Sequence, residues 1–455
     1  MKTLTVLLVL FVVGFAAAHP WACYHGNAQH TGKTNVGVGD SLWTAWTFQA
    51  GGDISGSAAV NDQGQVVFGA RNVHLYCLNA DGTQAWDANL DSLGTSIYFS
   101  TPAVDDSGNV YITTSRRLVK VSPAGVVLWS YPDHNSWSIS HSPVIGTDGK
   151  VYFACYSESL YAVRPNGTLD WARSVVLDVN SAPAVGLDGN IYVATTRGTS
   201  GWKLWAFTPT GDTAWTFPLD GGADFASPAV GPDSTVYVGA GRHLYAVGAD
   251  GDLRWRDTLT AQASSCPAVA DDSTLYLTTG SFLYCVSADS GWRWRRSLGG
   301  SNYSAPAVDA SGLVYVGSAQ GSFHVFAPDS TELWSMATPD DVWASPAIGP
   351  GGRVYFGCMD GSFHALEGGG TSVAEEQPGP VPRSTVLLPN PSTGVVRLPV
   401  PAEPGCRVRV VSAAGTTVGM NPQGNRLDLS SLPRGVYLVE FVRDNSRSVG
   451  KVVLR

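Results

Sequence analysis

Charged residues are scarce in this chain of 455 residues, because only 14% are Asp, Glu, Lys or Arg, against about 25% in an average soluble domain. The net charge of -9 gives the whole molecule no attraction for nucleic acid. Methionine is also rare, at four residues, whereas there are 52 glycines and 15 tryptophans. The aromatic content excludes a disordered chain, and the short Val-, Thr- and Tyr-rich runs favour strands over helices.

Cysteine occurs seven times, but never in a Cys-x-x-Cys pair, so the common zinc and redox motifs are absent from the sequence. The odd number leaves at least one thiol without an intramolecular partner. Cys77 and Cys285 occupy equivalent positions of the repeat described below, as do Cys155 and Cys358. This pattern predicts small buried side chains rather than a disulfide framework.

Only one long apolar run exists, at the amino terminus. Residues 1–18 place Lys2 before an apolar stretch and end on three alanines. A membrane-spanning helix needs about 20 apolar residues, which is longer than this run. The segment is therefore interpreted as a signal peptide, with a membrane anchor as the less favoured alternative. The mature protein is expected to be exported and not integral to a membrane.

A tetrapeptide of the type Ser-Pro-Ala-Val recurs eight times at intervals of 39 to 45 residues. It is followed each time by an Asp- and Gly-rich turn, a run such as Val-Tyr-Val-Gly, a run such as Leu-Tyr-Ala-Val, and a short segment with a tryptophan. Four short strands in about 40 residues are typical of one propeller blade. The tetrapeptides lie at 57–60, 101–104, 142–145, 182–185, 227–230, 266–269, 305–308 and 345–348.

The tryptophans count the blades. Seven units end with one, but the eighth stops at residues 368–370 without it. Trp46 lies 11 residues before the first tetrapeptide, the same interval that separates Trp171 from its next tetrapeptide. We therefore predict an all-β, eight-bladed propeller over residues 43–367, whose N-terminal strand completes the last four-stranded blade. The residues predicted to close the blades, with indoles in the core, are Trp46, Trp86, Trp129, Trp171, Trp215, Trp255, Trp294 and Trp334.

These repeats resemble the pyrroloquinoline-quinone (PQQ) type of propeller repeat. The segment Trp-Ala-Cys-Tyr-His-Gly-Asn-Ala-Gln-His-Thr-Gly at 21–32 is similar to the lead-in that often precedes them, so residues 19–42 are assigned as a lead-in segment. The family includes quinone-dependent dehydrogenases, the scaffold of an outer-membrane assembly factor and exported proteins without an assigned role. The resemblance thus implies a fold rather than one activity.

Composition changes after the propeller. Residues 368–385 form a Pro- and Gly-rich linker, and residues 386–455 contain no tryptophan and nine basic against four acidic residues. Short strand patterns at 395–398, 408–411, 426–429, 436–442 and 451–454 predict a small immunoglobulin-like β-sandwich.

This segment resembles the C-terminal sorting domain of the type IX secretion system. The matching motifs are Leu-Pro-Asn-Pro-Ser-Thr-Gly at 388–394, Leu-Pro-Arg-Gly at 432–435 and Lys-Val-Val-Leu at 451–454. The resemblance implies that secretion machinery is a partner and that the protein reaches the surface or medium of a Gram-negative-type bacterium. An ordinary accessory domain is the alternative.

Aromatic residues mark the connections that enter the tetrapeptides. These connections should surround one mouth of the central channel, where aromatic side chains beside carboxylates suit a sugar, a peptide or a flat cofactor. The alternative is that they plug the channel or pack between blades. His19, His25 and His30 fit no metal motif and are expected at the surface. The candidate ligand-binding residues are Phe99, Trp137, His141, Phe225, Tyr303 and Trp343.

The preferred functional hypothesis is an exported, non-catalytic propeller that acts as a binding or scaffold module for a protein, peptide or glycan, without a cofactor or a metal. The alternative is a PQQ-dependent oxidoreductase of alcohols or sugars, which would need PQQ and calcium. The adjacent cysteines that cover the quinone in such alcohol dehydrogenases are missing, and no residue can be matched to the calcium ligands. A polysaccharide-active enzyme would instead need a close pair of carboxylates in the channel.

Overall fold

The computed structural model describes residues 21–368, except 133–140, 157–158, 176, 197–200, 271–273 and 288–290, and beyond them a set of short strands between residues 383 and 454. Contacts divide the chain into two units, Met1–Ser372 and Val373–Arg455. No helix in the described part of the chain is long and apolar enough to cross a membrane. Two short 3-10 helices, Asp91–Leu93 and Pro350–Gly352, are recorded there.

The first unit consists of eight four-stranded antiparallel sheets, which confirms the predicted eight-bladed propeller. Blade 1 is formed by β2 (Ala59–Val60), β3 (Val66–Gly69), β4 (His74–Leu78) and β5 (Gln84–Asn89), and blade 2 by β6 (Ala103–Val104), β7 (Val110–Thr113), β8 (Arg117–Val121) and β9 (Val127–Pro132). Blade 3 contains β10 (Val144–Ile145), β11 (Val151–Cys155), β12 (Ser159–Val163) and β13 (Leu169–Ser174), and blade 4 contains β14 (Ala184–Val185), β15 (Ile191–Ala194), β16 (Lys203–Phe207) and β17 (Thr213–Pro218).

The remaining blades repeat this order. Blade 5 is formed by β18 (Ala229–Val230), β19 (Val236–Ala240), β20 (His243–Val247) and β21 (Leu253–Thr258), and blade 6 by β22 (Ala268–Val269), β23 (Leu275–Thr279), β24 (Phe282–Val286) and β25 (Trp292–Ser297). Blade 7 contains β26 (Ala307–Val308), β27 (Val314–Ser318), β28 (Ser322–Phe326) and β29 (Glu332–Ala337). Blade 8 contains β30 (Ala347–Ile348), β31 (Val354–Gly357) and β32 (Ser362–Gly368), with β1 (Leu42–Gln49) as its outer strand.

The N-terminal strand closes the ring as predicted. Strand β1 pairs antiparallel with β32 and places Trp46 opposite Ala365. A register shift between Thr44 and Trp46 accompanies this pairing. The outer strand of blade 8 therefore comes from the opposite end of the propeller, and the two ends of the propeller domain are joined by a hydrogen-bonded ladder.

Hydroxyl groups at the first tetrapeptide position link neighbouring blades around the channel. The amide of Ser57 donates to Oγ1 of Thr101 at 3.2 Å, and the amide of Thr101 donates to Oγ of Ser142 at 2.9 Å. The amide of Ser345 donates in turn to Oγ of Ser57 at 2.8 Å, across the junction between blade 8 and blade 1. Serine and threonine recur at this position because a side-chain acceptor there satisfies a buried backbone N–H of the preceding blade.

The closing tryptophans occupy equivalent positions on the outer strands and join each blade to the next. In several junctions the indole covers a glycine of the following blade; a Cβ added at Gly211, for example, would lie 2.7 Å from the ring of Trp171. Gly211 also has a φ of 85°, so both the close indole and the backbone conformation require glycine at this position. Five indole N–H groups donate to a carbonyl of the next blade, at 2.7 to 3.1 Å: those of Trp46, Trp129, Trp171, Trp215 and Trp294.

The burial of these indoles differs from the sequence expectation. Trp171 is buried, with 6% of its surface exposed, whereas the other seven tryptophans are only half-buried. They lie on the outer strand of a blade, where one side of the ring faces the neighbouring blade and the other faces the rim. Within the blades, the fully buried rings are instead tyrosines and phenylalanines of the inner strands, such as Tyr192 and Phe153.

The second unit contains seven strands among the described residues: β33 (Arg383–Ser384), β34 (Val395–Arg397), β35 (Arg407–Ser412), β36 (Thr417–Gly419), β37 (Arg426–Asp428), β38 (Gly435–Arg443) and β39 (Ser446–Leu454). Five of them form a sheet in the order β33-β39-β38-β35-β36, and β34 pairs with β37. All five strands predicted from the sequence are present within a few residues. An immunoglobulin-like sandwich remains a prediction for this unit.

Candidate ligand-binding site at the channel mouth

Five of the six candidate residues come together at one end of the central channel. The side chains of Phe99, His141, Phe225, Tyr303 and Trp343 line a single cavity there. The first tetrapeptide serines of blades 1, 3 and 8 line it as well, so this is the end at which the chain enters the innermost strands. Trp137, the sixth candidate, lies outside the described residues.

The four larger rings pack against one another in a closed cycle. Ring centroids are 5.1 Å apart for Phe99 and Phe225, 4.8 Å for Phe225 and Tyr303, 5.4 Å for Tyr303 and Trp343, and 5.9 Å for Trp343 and Phe99. Such distances are those of favourable aromatic pairs. The cavity beneath the rings measures only about 30 Å³, which is room for one or two water molecules.

Phe225 has an unusual backbone at the centre of this cycle. Its φ is 59°, in the left-handed region that a bulky residue rarely adopts. The amide of Phe225 donates to the carbonyl of Asn180 at 3.0 Å, and the ring contacts those of Phe99 and Tyr303 as well as His141, at 5.5 Å. The surrounding packing therefore holds a conformation that costs about 1–3 kcal/mol, and such outliers often mark functional positions.

A buried polar network lies below the rings. Asn180 donates through Nδ2 to Asp224, and its Oδ1 accepts from Nε2 of His141 and from the hydroxyl of Tyr156. Because Asn180 uses its amide nitrogen on Asp224, the hydrogen on His141 is assigned to Nε2. Burial lowers the pKa of His141 to about 4, so this side chain is neutral at pH 7.

Carboxylates stand at the edge of the mouth. Nε1 of Trp343 donates to Oδ2 of Asp341 at 3.2 Å, which fixes the indole. Burial raises the pKa of Asp341, and the neighbouring Asp340 adds to this shift. The mouth thus combines partly exposed aromatic rings with acidic groups at its rim, whereas no carboxylate belongs to the described lining of the cavity itself.

The lead-in segment closes the opposite end of the channel, which the sequence did not predict. Its carbonyl groups accept hydrogen bonds of 2.7 to 2.9 Å from the last tetrapeptide residue of six blades: Val60, Val104, Val185, Val230, Val269 and Val308. These bonds satisfy backbone N–H groups that would otherwise face an open channel. The chain between residues 21 and 32 therefore follows the ring and acts as a plug.

The prediction that the N-terminal histidines lie at the surface is wrong for the two that the structure describes; His19 lies outside these residues. His25 and His30 are 1% and 0% exposed. The ring nitrogens of His25 lie 2.7 Å from the carbonyl oxygens of His30 and Pro306, and Nδ1 of His30 lies 3.1 Å from that of Pro228. Burial lowers the pKa of His25, and it lowers the pKa of His30 to about 3.

Tyr24 connects the plug to the mouth. Its side chain lines the same cavity as the aromatic cycle, and its hydroxyl interacts with Ser227 and Ser345. Burial raises the pKa of Tyr24, which remains a neutral phenol. Sequence reasoning assigned the lead-in motif but gave Tyr24 no role, because nothing in a 12-residue motif says which blades its residues will reach.

The cysteines are buried as predicted. Cys23, Cys77, Cys266 and Cys358 are buried free thiols, and the side chains of Cys155 and Cys285 are buried as well. Cys406 lies outside the described residues. Burial raises the pKa of Cys266 well above its ordinary value, so the thiol is protonated and unreactive.

The mouth does not fit a quinone cofactor. PQQ is a flat tricyclic tricarboxylate, and small-molecule sites usually measure about 300–1,000 Å³, whereas the rings leave about 30 Å³ here. The described lining offers no lysine or arginine for its carboxylates. Among the described residues no group of three or more His, Cys, Asp or Glu side chains is placed to hold a metal ion such as calcium.

Comparison with known proteins agrees with this architecture. Residues 33–201 and 201–293 match the family model described as outer membrane protein assembly factor BamB, and residues 386–455 match the secretion system C-terminal sorting domain. The chain is therefore an exported eight-bladed propeller protein that carries a sorting domain for delivery to the cell surface or medium. It belongs to the BamB-like family of PQQ-type repeat propellers.

Solved structures show the same fold at low sequence identity. BamB from Moraxella catarrhalis is 16% identical, with a TM-score of 0.60 over 72% of this chain and 100% of that chain. A quinohemoprotein alcohol dehydrogenase from Comamonas testosteroni is 12% identical, with a TM-score of 0.66 over 79% and 82%. A europium-containing methanol dehydrogenase is 12% identical, with a TM-score of 0.63 over 77% and 98%. Comparison with curated protein sequences gives no match.

Proposed function

We propose that this protein is a non-catalytic binding or scaffold module, which presents the channel mouth to a protein, peptide or glycan after export. The observation that carries the proposal is the double closure of the channel. The lead-in segment fills one end and the aromatic cycle fills the other, so that an interior site for a quinone or a sugar substrate has no room. What remains for recognition is the partly exposed aromatic surface with its acidic rim.

The chemistry beneath the mouth also favours binding over catalysis. Among the described residues that line the cavity, His141 is the candidate general base. Its hydrogen-bond partner is the side-chain amide of Asn180 rather than a carboxylate. An amide oxygen next to His141 carries no charge that would stabilise a protonated imidazole, unlike the carboxylate of a catalytic triad. Ser142 lines the cavity too, but its Oγ accepts the buried amide of Thr101 and so serves the blade junction.

Binding assays with a matched pair of variants test the proposal. Fluorescent glycans and peptides are screened against the mature protein, against Trp343→Ala and against Trp292→Ala. Trp292 lies on an outer strand and is 57% exposed, so its replacement removes an accessible indole without touching the mouth. We expect a ligand whose binding is lost in Trp343→Ala and retained in Trp292→Ala.

The enzymatic alternative is tested on the same samples. The purified protein is incubated with PQQ and calcium, and dye reduction is followed with alcohols and sugars. Turnover above that of a heat-denatured sample would overturn the non-catalytic assignment. A screen in which every ligand binds the two variants equally would contradict the role of the mouth.

A further inference from the structure

A second cavity, of about 280 Å³, lies between blades 1 and 2, away from the channel mouth. Its floor is formed by Val67, Cys77, Val104 and Val110, all of which are at most 4% exposed. Trp86, the closing tryptophan of blade 1, forms a wall. The slot therefore has an apolar floor beside an indole, whereas polar side chains such as Asn61 and Gln65 also line it. Among the described lining residues, none is shared with the channel mouth.

The other blades show what normally fills this place. The third tetrapeptide residue pairs with the second residue of the next strand, and in seven blades that residue is a tyrosine. In blade 1 the same register pairs Ala59 with Val67. The seven tyrosines are at most 3% exposed: Tyr111, Tyr152, Tyr192, Tyr237, Tyr276, Tyr315 and Tyr355.

These tyrosine rings pack against the closing tryptophans. In six blades the tyrosine and tryptophan ring centroids are 5.7 to 6.0 Å apart. Trp86 has a valine in place of that partner. The position opposite Trp86 is Cys77, which is small as well. Blade 1 has Val67 where the other blades have a tyrosine. This difference accounts for the empty space beside Trp86, at the position that a tyrosine ring occupies in the other blades.

The hydrogen bonding of Trp86 also differs from that of five other closing tryptophans. Whereas five other closing tryptophans donate their indole N–H to the next blade, Trp86 makes no such bond within the part of the chain that the structure describes. Pro123 lines the cavity at the position where Pro165 accepts from Trp129 in the next junction. Trp86, which lines the slot, therefore has no acceptor for its indole N–H among the described residues.

In other blades the turn after the tetrapeptide supplies an acceptor for the tyrosine hydroxyl, whereas in blade 1 Asn61 directly follows the tetrapeptide and lines the slot. Tyr111 donates to Oδ2 of Asp105 at 3.1 Å, and Tyr152 donates to Oδ2 of Asp148 at 2.8 Å. Around the slot the exposed side chains of Asp62 and Asp106 supply carboxylates at the turns, and no basic residue is found among the described residues that line the cavity. Acidic groups at the rim disfavour an anionic ligand but accept a hydrogen bond from a neutral hydroxyl.

We propose that the slot between blades 1 and 2 binds one hydroxyl-bearing aromatic ring, that is, a phenol, in the place that the protein's own tyrosines fill in the other blades. A cavity of about 150 Å³ is known to admit benzene, so about 280 Å³ accommodates a phenol. A phenol has a pKa of about 10 and is neutral at pH 7, as the acidic rim requires. The tyrosine side chain of a partner polypeptide and a free small phenol share this chemistry.

Calorimetric titration of the mature protein with p-cresol tests the proposal, and Val67→Tyr is the decisive variant because it fills the slot with the missing side chain. We expect one p-cresol per wild-type chain and at least about a tenfold weaker affinity in Val67→Tyr, whose thermal midpoint should rise. Val67→Ala leaves the slot open and should retain binding. If Val67→Tyr does not fold, Cys77→Leu, which narrows the same floor, replaces it.

Controls separate this site from the channel mouth. Trp343→Ala alters the channel mouth but not the slot, so it should bind p-cresol like the wild type. The p-cresol result therefore does not depend on whether the mouth binds a ligand. Cyclohexanol and benzoate should bind more weakly than p-cresol. The tripeptide Gly-Tyr-Gly distinguishes the two sources, since stronger binding of the peptide indicates a polypeptide partner and stronger binding of p-cresol a free phenol. No p-cresol binding, equal binding to Val67→Tyr, or equal binding of cyclohexanol would overturn the proposal.

Discussion

Closure of the ring by the N-terminal strand makes a quantitative prediction for Trp46→Ala. The indole of Trp46 lies 5.9 Å from the ring of Tyr355 and 6.2 Å from that of Phe363, centroid to centroid, within blade 8. Its N–H donates to the carbonyl of Ala80 in blade 1 at 2.9 Å. The substitution therefore removes packing inside the last blade and the hydrogen bond that joins it to the first.

The expected loss follows from these contacts. Truncation of a buried tryptophan to alanine costs about 3–5 kcal/mol, and a half-buried one about half as much. The lost hydrogen bond adds about 1 kcal/mol. A total near 3 kcal/mol lowers the thermal midpoint of an ordered domain of about 350 residues by about 4 °C, since the unfolding entropy is about 2.1 cal/mol/K per residue.

Trp43→Ala is the matched control, because Trp43 lies on the same strand and is 51% exposed. Its replacement should change the free energy of unfolding by no more than about 0.5 kcal/mol. Urea denaturation and calorimetry of the mature chain measure both variants. Equal destabilisation by the two substitutions, or none by Trp46→Ala, would refute the conclusion that Trp46 joins the ends of the ring.

Two further predictions concern the plug and the buried histidines. Trp21 is 0% exposed at the start of the lead-in segment, so Trp21→Ala should cost about 3–5 kcal/mol in urea denaturation; a cost below about 1 kcal/mol would contradict the plug. Folding lowers the pKa of His30 to about 3 and that of His141 to about 4. The free energy of unfolding is therefore highest above the unfolded pKa of about 6.5 and decreases as the pH falls below that value. Between pH 7 and pH 5 the free energy of unfolding should decrease by about 2 kcal/mol per histidine. His141→Gln should show a smaller decrease over the same range. A protein that is more stable at pH 5 than at pH 7 would contradict the prediction.

The repeat made the propeller predictable from the sequence. A blade is defined by local spacing, since each tetrapeptide, turn and tryptophan recurs within about 40 residues and each blade contacts mainly its neighbours. The same regularity exposed the displaced strand, because Trp46 has the spacing of a last strand and the eighth unit lacks one. The candidate residues of the mouth were also found from the sequence, since the connections into the tetrapeptides must lie at one end of the channel.

The path of the lead-in segment and the burial of its histidines could not be predicted from the sequence, because they depend on contacts between residues that are far apart along the chain. The lead-in segment crosses six blades, and the buried state of His25 and His30 follows from carbonyl groups more than 190 residues away, at Pro306 and Pro228. Only the closed ring brings such groups together, so local residue types suggested a surface position instead. The exposure of each closing tryptophan was likewise decided by its place on an outer strand.

The slot beside Trp86 shows both contributions at once. The sequence alone contains the exception, because one unit has Val67 where seven have tyrosine. Whether that exception is a closed gap or an open cavity depends on how far blade 2 approaches blade 1, and this approach is set by packing around the whole ring. Local patterns therefore determined the blades of this protein, whereas the filled channel and the open slot follow from the closure of eight blades into one disc, which fixes the space between them.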